Sequence, residues 1–422
     1  MNQKIMLGIY FFYIITVTIE APLRWLLDLV GLGFLLYIRD VFISLIVFYE
    51  IFLRRNLILW IFSSVLLLWA LIGFYYTENI IEVLWGFKTY LPFLFGICIW
   101  KAVIDNPHKL VIFMKIVFIL SCIGLGLNYF LENPFWLDIK GTDLGSGATA
   151  EGVRDWGIYY NGEVYKRLSG FTRLSNTVAN IIIYSSFVLL AYTYKGKKII
   201  YWVLGFPFIC STLIKINIAI YLYGLLLIIL FFFLDEKRKL LLLKISCMLF
   251  ILLGILLPVL SNTLLYISEY IDSDTMILLF ASFDDRLINS WPGGFHIIWD
   301  YGNAFLGRGL GGFGFGVSLF DTKVDIVTPI DNFYLSVYGS FGLLGIGTVL
   351  YLLYKIISIK QFTAEVELLL LFAIAFFSIG IMQDMMDQIS LMGLGILCGL
   401  LLHTQTLYIV NPDESGEYRT SE

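Results

Sequence analysis

The sequence predicts an all-α, polytopic integral membrane protein with about 12 transmembrane helices and two longer loops on one side. Of its 422 residues, 59% are hydrophobic and only 14% are charged. The apolar residues recur in runs of about 17–25, the length that a helix needs to cross the hydrocarbon core of a bilayer. All five cysteines lie inside such runs, which argues against a disulfide framework. We expect one transmembrane domain over residues 1–403 and a polar cytoplasmic tail over residues 404–422.

The expected spans follow the apolar runs in chain order. They are Lys4–Glu20, Leu36–Leu53, Leu57–Tyr76, Trp85–Ile104, Leu110–Leu131, Asn176–Tyr194, Ile199–Ile214, Ile216–Leu234, Leu240–Leu260, Phe333–Tyr354, Glu365–Met382 and Asp387–His403. The first run lacks a small-residue cleavage site and further spans follow it, so it predicts a retained helix. Arg24 and Asp28 lie four residues apart in Pro22–Leu35. This spacing favours a surface-lying amphipathic helix there, or an extension of a neighbouring span.

The distribution of Lys and Arg predicts the orientation of the chain. Positive residues collect in alternate short connections, which the positive-inside rule assigns to the cytoplasm. These connections contain Arg54, Lys101, Lys195, Lys237 and Lys355. The alternation places both termini in the cytoplasm and both long loops, Glu132–Ser175 and Ser261–Asn332, outside. Because extended loops on a rigid scaffold tend to carry binding and catalytic groups, we expect the protein to act at the outer membrane face.

A set of cations contradicts the usual depletion of positive charge on the outer side. Its members are Lys88, Arg167, Arg173, Lys215, Arg286 and Arg308. A cation inside a membrane costs about 2.5–3.5 kcal/mol on insertion scales, so such residues commonly mark a substrate path or an ion partner. A diphosphate offers several acceptor oxygens to Arg and Lys, and the set therefore predicts an anion site. Alternatively, these cations snorkel, or pair with nearby carboxylates such as Asp143, Asp155, Glu163, Asp284 and Asp285.

Asp331 is the acidic residue at the end of the longer loop, just before the span that begins at Phe333. Its carboxylate could accept a proton from a sugar hydroxyl, provided that it lies within hydrogen-bond reach. It could equally cap the following helix, and the two roles are compatible.

Three other features of the chain carry less information. Gly309, Gly311 and Gly314 form a literal G-x-G-x-x-G, but the surrounding sequence lacks the strand and helix of a dinucleotide fold. The glycines therefore indicate tight turns and close backbone approach. Asp384 and Asp387 predict a solvated turn. His296 is the one histidine on the outer side, so we expect no histidine metal cluster.

Four segments carry a resemblance that covers nearly the whole chain. They are "RLSGFTRLSNTVAN", "STLIKIN", "DDRLINSW…FLGRGLGGFG" and "DNFYLSVYGSFGLLG". In this order they resemble the bacterial O-antigen polymerase and O-antigen ligase superfamily (the Wzy/WaaL type). The matched positions are Arg167, Gly170, Asn176 and Ala179 in the first segment, Thr212 and Lys215 in the second, and Arg286, Trp291, Gly307 and Gly309 in the third. In the fourth, the histidine that ligases are thought to use is Asp331 here, which favours a polymerase.

The resemblance implies a GT-C-like glycosyltransferase in the bacterial inner membrane that uses undecaprenyl-diphosphate-linked sugars as donor and acceptor. Such enzymes are thought to need no metal or other cofactor. Expected partners are the lipid-linked oligosaccharides, membrane lipid, a chain-length regulator and a flippase, and no nucleic acid. Arg167, Arg173, Lys215 and Arg286 would bind the donor diphosphate, with Lys88 and Arg308 as second choices. Arg286 and Asp331 are the expected catalytic residues.

Two alternatives remain open from the sequence. An O-antigen ligase would transfer finished polymer to another acceptor, but the absent histidine argues against it. A lipid-linked oligosaccharide flippase or another secondary transporter would commonly show two related halves with charges near mid-membrane. No related halves are visible in this chain, and its cations favour one side.

Overall fold

The structure is a computed structural model of the chain. It describes residues 3–131, 134–137, 142–143, 149–150, 156–160, 163–193, 199–268, 283–314, 317, 323–324 and 330–407. Most of the polar tail predicted for residues 404–422 lies outside the described residues.

The described residues are largely helical. The first helices are α1 (Gln3–Thr18), α2 (Glu20–Leu29), α3 (Ile38–Phe52), α4 (Leu57–Thr77), α5 (Ile80–Ile104) and α6 (Pro107–Phe130). The middle helices are α7 (Ser175–Thr193), α8 (Ile199–Ser211), α9 (Lys215–Phe233), α10 (Glu236–Val259) and α11 (Ser261–Ser268). The last are α12 (Trp291–Tyr301), α13 (Phe333–Ile357), α14 (Ala364–Ile379) and α15 (Gln388–Leu407).

Short elements occupy the predicted outer loops. Two antiparallel hairpins, β1–β2 (Thr142–Asp143 and Thr149–Ala150) and β3–β4 (Trp156–Tyr160 and Glu163–Arg167), precede α7. A π-helical turn, Arg286–Ser290, leads directly into α12. Single π turns often mark functional sites, because the extra residue redirects a side chain.

The largely helical fold that the sequence predicts is confirmed, and the apolar helices support a multi-pass membrane protein. Among the described residues, 7 helices are long and apolar enough to cross a membrane, namely α4, α5, α6, α7, α9, α10 and α13. The pair α1 and α2 also passes this test but bends by 81° between Thr18 and Glu20. The remaining predicted spans form helices, of which α3 has 15 residues, α8 has 13 and α14 has 16. The count of twelve spans therefore remains a prediction.

The bundle carries apolar side chains both inside and outside. Phe95, Phe187 and Phe376 are fully buried between helices. Leu241 and Leu249 on α10 are 58% and 50% exposed, although both are large and apolar. A soluble domain rarely exposes a continuous apolar surface, so this surface fits contact with lipid.

Asparagine side chains fix where several helices begin. Asn56 accepts from the backbone N–H of Ile58 at 3.2 Å at the start of α4. Asn79 accepts from Ile81 at 3.0 Å at the start of α5. Each cap satisfies a backbone donor that lacks an intrahelical partner, and this allows tight connections between antiparallel neighbours.

The connections predicted to lie outside gather at one end of the bundle, which we term the long-loop end. There Lys323 pairs with Glu78 at 3.1 Å, and the backbone of Leu310 donates to Trp69 at 3.0 Å. Phe333 donates to Gly380, and Ala21 donates to Phe171. These contacts join the turns after α1, α4 and α14 to both long loops.

Candidate functional site

Three of the predicted cations converge at the long-loop end, and we term Arg167, Lys215 and Arg286 the cation triad. Arg167 ends β4, and the next residue, Leu168, donates its backbone N–H to Ser211 at 3.3 Å. That bond ties the end of the hairpin to the last residue of α8, and Lys215 begins α9 directly after the connecting turn. Lys215 lies within electrostatic range of both Arg167 and Arg286.

The segment after Arg167 is a fixed turn. Gly170 has φ +61°, a region that favours glycine. Its N–H donates to Asn128 at 3.0 Å, and its carbonyl accepts from Trp136 at 2.9 Å. Because Ser169 and Thr172 are also fully buried, this turn holds the backbone beside Arg167 in one position.

Arg286 lies on the π turn and binds the residue predicted to act with it. Its Nη2 contacts Asp331 Oδ2 at 2.8 Å and donates to the Met382 carbonyl at 3.1 Å. The side chain of Asp331 keeps 38% of its surface exposed, whereas that of Arg286 keeps 14%. Burial raises the pKa of Asp331, and the charges of Arg286 and Arg167 offset only part of that rise.

The helix cap belongs to the neighbour of Asp331. Asn332 accepts from the backbone of Leu335 at 2.7 Å, and its amide donates to the Ile381 carbonyl at 2.9 Å. The capping role that the sequence allowed for Asp331 is therefore wrong by one residue. Since Asn332 caps α13, the carboxylate of Asp331 is available to Arg286.

Arg167 and Lys215 lack direct carboxylate partners. Within the part of the chain that the structure describes, neither has a carboxylate oxygen within 4.0 Å, although Asp284 acts on Lys215 over a longer distance. Burial, and then the positive charge of Arg286, lower the pKa of Arg167. Because these cations lie close together without neutralising contacts, a bound anion would stabilise them.

The turn between α14 and α15 adds two carboxylates, Asp384 and Asp387, which we term the acidic turn. Burial, and then the charge of Asp331, raise the pKa of Asp384 to about 7. Burial also raises the pKa of Asp387, whose Oδ1 caps α15 by accepting from Ser390 at 3.0 Å. The sequence predicted a solvated turn, because nothing in the local pattern shows that it folds against Asp331.

Three carboxamides from separate elements form a closed ring beneath the acidic turn. Asn180 on α7 donates to Gln383 at 3.4 Å, Gln383 to Asn217 at 3.4 Å, and Asn217 on α9 back to Asn180 at 3.2 Å. All three are at least 95% buried. Asn180 also donates to Asp387 at 3.3 Å. This amide ring links α7 and α9 to the acidic turn.

Arg173 and Lys88 lie in different surroundings from the triad. Arg173 lies within electrostatic range of Glu20, which pairs with Arg24 at 3.1 Å and with Arg39 at 2.9 Å. We term these four residues the Glu20 cluster. Lys88 pairs with Asp40 at 3.5 Å and lies over the ring of Tyr37, with 4.3 Å from Nζ to the ring centroid. The cations expected at one diphosphate are therefore divided between two places.

Arg308 takes a structural position rather than the ligand position expected for it. It is 1% exposed, and its guanidinium donates to the carbonyls of Tyr301 at 3.2 Å and Gly312 at 3.0 Å. A guanidinium enclosed in this way stabilises the glycine-rich loop and does not face a substrate. The loop turns at Gly309 and Gly311, with φ of +81° and +85°, as the sequence predicted.

His296 pairs with Asp300 one helical turn along α12 at 3.1 Å. Among the residues described, no group of three or more His, Cys, Asp or Glu side chains is placed to hold a metal ion.

Comparisons with known proteins identify no relative of this chain: no protein-family model, curated protein or solved structure matches it significantly.

Proposed function

We propose that this protein is a polysaccharide polymerase that transfers a growing glycan from undecaprenyl diphosphate to a lipid-linked repeat unit at the outer face of the bacterial inner membrane. The observation that supports this proposal best is the cation triad beside Asp331 and the acidic turn. It combines an anion site with carboxylates that can accept and release a proton. The four sequence segments that resemble the polymerase and ligase superfamily support the same function.

The ligand of the triad is a diphosphate. Two of the three cations lack close carboxylates in the described structure, so the site favours an anion with more than one charge. Arg presents donors in a planar fork that matches phosphate oxygens, and Lys adds a point charge. The surrounding helices are apolar on their outer faces, so the diphosphate arrives on a lipid carrier rather than from water.

The reaction is a glycosyl transfer. A hydroxyl oxygen of the acceptor sugar attacks the anomeric carbon of the donor, and a carbon–oxygen bond forms. The bond from that carbon to the diphosphate oxygen breaks, and undecaprenyl diphosphate leaves with the electron pair. The hydroxyl proton passes to a carboxylate and then to solvent.

Arg167, Lys215 and Arg286 stabilise the charge that develops on the leaving diphosphate. Preorganised cations contribute most where charge appears only in the transition state. Asp384 is the proton acceptor. A base with a pKa near the working pH is largely deprotonated and still basic enough to take a proton from the sugar hydroxyl. Asp331 is salt-bridged to Arg286 and positions that guanidinium.

Disruption of the gene tests this function against its competitors. Loss of a polymerase leaves a surface glycan that is only one repeat unit long. Loss of a ligase strands polymer on undecaprenyl diphosphate, and loss of a flippase traps single units on the inner leaflet. Surface glycan resolved by gel electrophoresis, together with lipid-linked sugars analysed by mass spectrometry, distinguishes the three outcomes, and either of the last two contradicts the proposal.

A biochemical assay supplies the direct test. Lipid extracted from the disrupted strain contains the lipid-linked single repeat unit. Purified protein reconstituted with that lipid should lengthen the glycan, and it should release one undecaprenyl diphosphate for each repeat unit added. The Arg286→Ala protein serves as the matched control, and a preparation of folded wild-type protein that produces no extension contradicts the proposal.

A further inference from the structure

The Glu20 cluster holds more buried donors than its single carboxylate can satisfy. Both oxygens of Glu20 are used, Oε1 by Arg24 and Oε2 by Arg39. Within the described residues, Nε and Nη1 of Arg39 and Nε of Arg24 are buried without a hydrogen-bond partner. The side chain of Arg39 is 7% exposed, so water does not easily replace the absent acceptors. Buried donors left unpaired are costly, which indicates that an acceptor belongs there.

The charges around this cluster leave it positive. Its cations are Arg24, Arg39 and Arg173, with Lys88 nearby. Its carboxylate is Glu20, with Asp40 nearby and Asp387 within electrostatic range of the buried hydroxyl of Tyr13. Four positive groups therefore face three negative groups. The Tyr13 hydroxyl is also buried without a partner in the described residues and adds another donor.

The cluster lies where a lipid headgroup can reach it. Helix α2 carries Arg24 and leaves α1 at 81°. Leu26 and Leu29 of α2, and Val30 directly after it, are 56%, 63% and 63% exposed. An amphipathic helix with a bare apolar face lies in the membrane interface, so its polar residues are held at the depth of lipid headgroups.

The acidic turn is within electrostatic range of residues at both the Glu20 cluster and the cation triad. Asp384 is close enough to Asp331 for that charge to act on it, and Asp387 acts on Tyr13 beside Arg39. One pair of carboxylates is therefore within electrostatic range of residues at two positive sites. A reaction between two anionic lipids needs this arrangement, because each headgroup requires its own cations while their sugars meet between them.

We propose that Arg24, Arg39 and Arg173 bind a second diphosphate, that of the lipid-linked acceptor. This assignment rests on the proposed polymerase function, in which donor and acceptor both carry undecaprenyl diphosphate. The triad holds the donor and the Glu20 cluster holds the acceptor. Lys88 borders the second site, where it lies over the Tyr37 ring and pairs with Asp40.

Binding stoichiometry tests the second site without depending on turnover. The full-length protein is placed in phosphatidylcholine nanodiscs, and undecaprenyl diphosphate is titrated in while native mass spectrometry counts bound lipids. We expect two per wild-type chain. Arg24→Gln should weaken one site by about tenfold or more, the loss expected for a charge-assisted contact. Lys215→Gln should weaken the other site, and Arg238→Gln, an exposed arginine on α10, should leave both unchanged.

Competition identifies the chemistry of the ligand. Inorganic pyrophosphate should displace lipid from both sites, and phosphatidylglycerol should displace it from neither. If phosphatidylglycerol displaces the lipid that Arg24→Gln loses, the site is a general anionic-lipid site and the inference is overturned.

The remaining outcomes separate this inference from the proposed function. The second site is overturned if Arg24→Gln still binds two lipids with wild-type affinity. It is also overturned if the wild-type protein binds one lipid and Lys215→Gln abolishes that binding. Either result leaves the polymerase proposal standing. No bound lipid in wild type removes the basis of both. Circular dichroism and thermal melting of each variant establish that binding is measured on folded protein.

Discussion

Two carboxylates at the candidate site have different chemical environments. Asp331 is fixed by Arg286 at 2.8 Å, so its negative charge is partly neutralised and its hydrogen-bonding capacity partly used. Among the described residues no cation lies within 4.0 Å of the Asp384 carboxylate, and its pKa of about 7 reflects burial and the charge of Asp331. Neighbouring titratable groups with divergent environments commonly divide acid, base and structural roles. We therefore assign proton transfer to Asp384 and positioning to Asp331.

The pH dependence of Asp384 follows from that assignment. A group with a raised pKa of about 7 is protonated below this value and cannot act as a base there. The rate should therefore rise with pH through about 7, and fall about tenfold per pH unit well below it. Glycan extension by reconstituted protein between pH 5.5 and 8.5 measures this rising limb of the pH–rate profile.

Asp384→Asn should remove the limb and lower the rate about 10²-fold or more, the usual contribution of a general base. Asp331→Asn should lower the rate but keep the limb, shifted to lower pH, because the charge of Asp331 no longer raises the pKa of Asp384. If the limb disappears in Asp331→Asn and persists in Asp384→Asn, the roles of the two carboxylates are reversed.

Arg286 is the member of the triad with the most defined contacts. Arg286→Ala should reduce extension about 10²–10³-fold, because it removes a cation from the developing diphosphate charge and leaves Asp331 without its partner. Arg286→Lys should recover only part of the activity, since an ammonium cannot contact Asp331 and the Met382 carbonyl in the same planar geometry. Extension rates at matched protein levels measure both effects. Activity of Arg286→Ala close to that of Arg238→Ala would exclude Arg286 from the chemistry.

At the scale of single residues, the sequence identified the cations but not their grouping. Positive charge on the outer side is visible in the chain, and it led to Arg167, Lys215 and Arg286. The separation of Arg173 from Arg167 arises because the intervening turn at Gly170 directs them to different neighbours. The importance of Asp384 depends on its burial and on the charge of Asp331, a residue distant in sequence, and no local pattern encodes either.

At the scale of elements, the apolar runs predicted the helices well because length and hydropathy are local properties. The bounds of α4, Leu57–Thr77, differ by one residue from the expected Leu57–Tyr76. The surface helix predicted over Pro22–Leu35 appears as α2 and a 3₁₀ turn, Gly33–Tyr37, after the 81° bend. The π turn at Arg286 had no sequence signal, because it depends on packing against α11 and α12.

The glycine-rich loop offers a matched pair of substitutions. Gly309 and Gly314 have φ of +81° and +84°, so alanine is strained at both. A Cβ at Gly309 would lie 2.0 Å from the backbone nitrogen of Gly73, whereas nothing lies within 4 Å at Gly314. Gly309→Ala should therefore destabilise the protein much more than Gly314→Ala, which costs about 1–2 kcal/mol. Thermal melting in detergent compares them, and equal losses would show that the loop is not wedged against α4.

The amide ring couples three elements and should contribute to stability. Asn217→Ala removes one of the two ring bonds of Asn180 and one of the two ring bonds of Gln383, both in a buried site. The cost should be about 1–3 kcal/mol, the usual penalty for an unsatisfied buried polar group. Extension should also fall, because the ring positions the acidic turn. Asn289→Ala is the control, since Asn289 is exposed and bonds only Asp285 in the described contacts. Wild-type melting and activity in Asn217→Ala would contradict a positioning role for the ring.

At the scale of the whole molecule, the chain places its chemistry at one end of an apolar bundle. The two long loops, the turns after α1, α4 and α14, and both positive sites all meet there. At the opposite end, Gln3 bonds Asp105 and Lys244 bonds the carbonyl of Ile357, which joins connections rich in Lys and Arg. The connections rich in Lys and Arg and the candidate site therefore occupy opposite ends of the bundle, as the proposed function requires.

Chemical labelling of introduced cysteines measures that polarity. Asp300 on α12 is 57% exposed at the long-loop end, and Arg238 at the start of α10 is 73% exposed at the other end. A membrane-impermeant maleimide should label Asp300→Cys in right-side-out vesicles and Arg238→Cys only in inside-out vesicles. The wild-type chain, whose described cysteines are buried or partly buried, gives the background. Labelling of Arg238→Cys from outside would place the triad in the cytoplasm, where nucleotide sugars are present and a carrier-linked donor is not required.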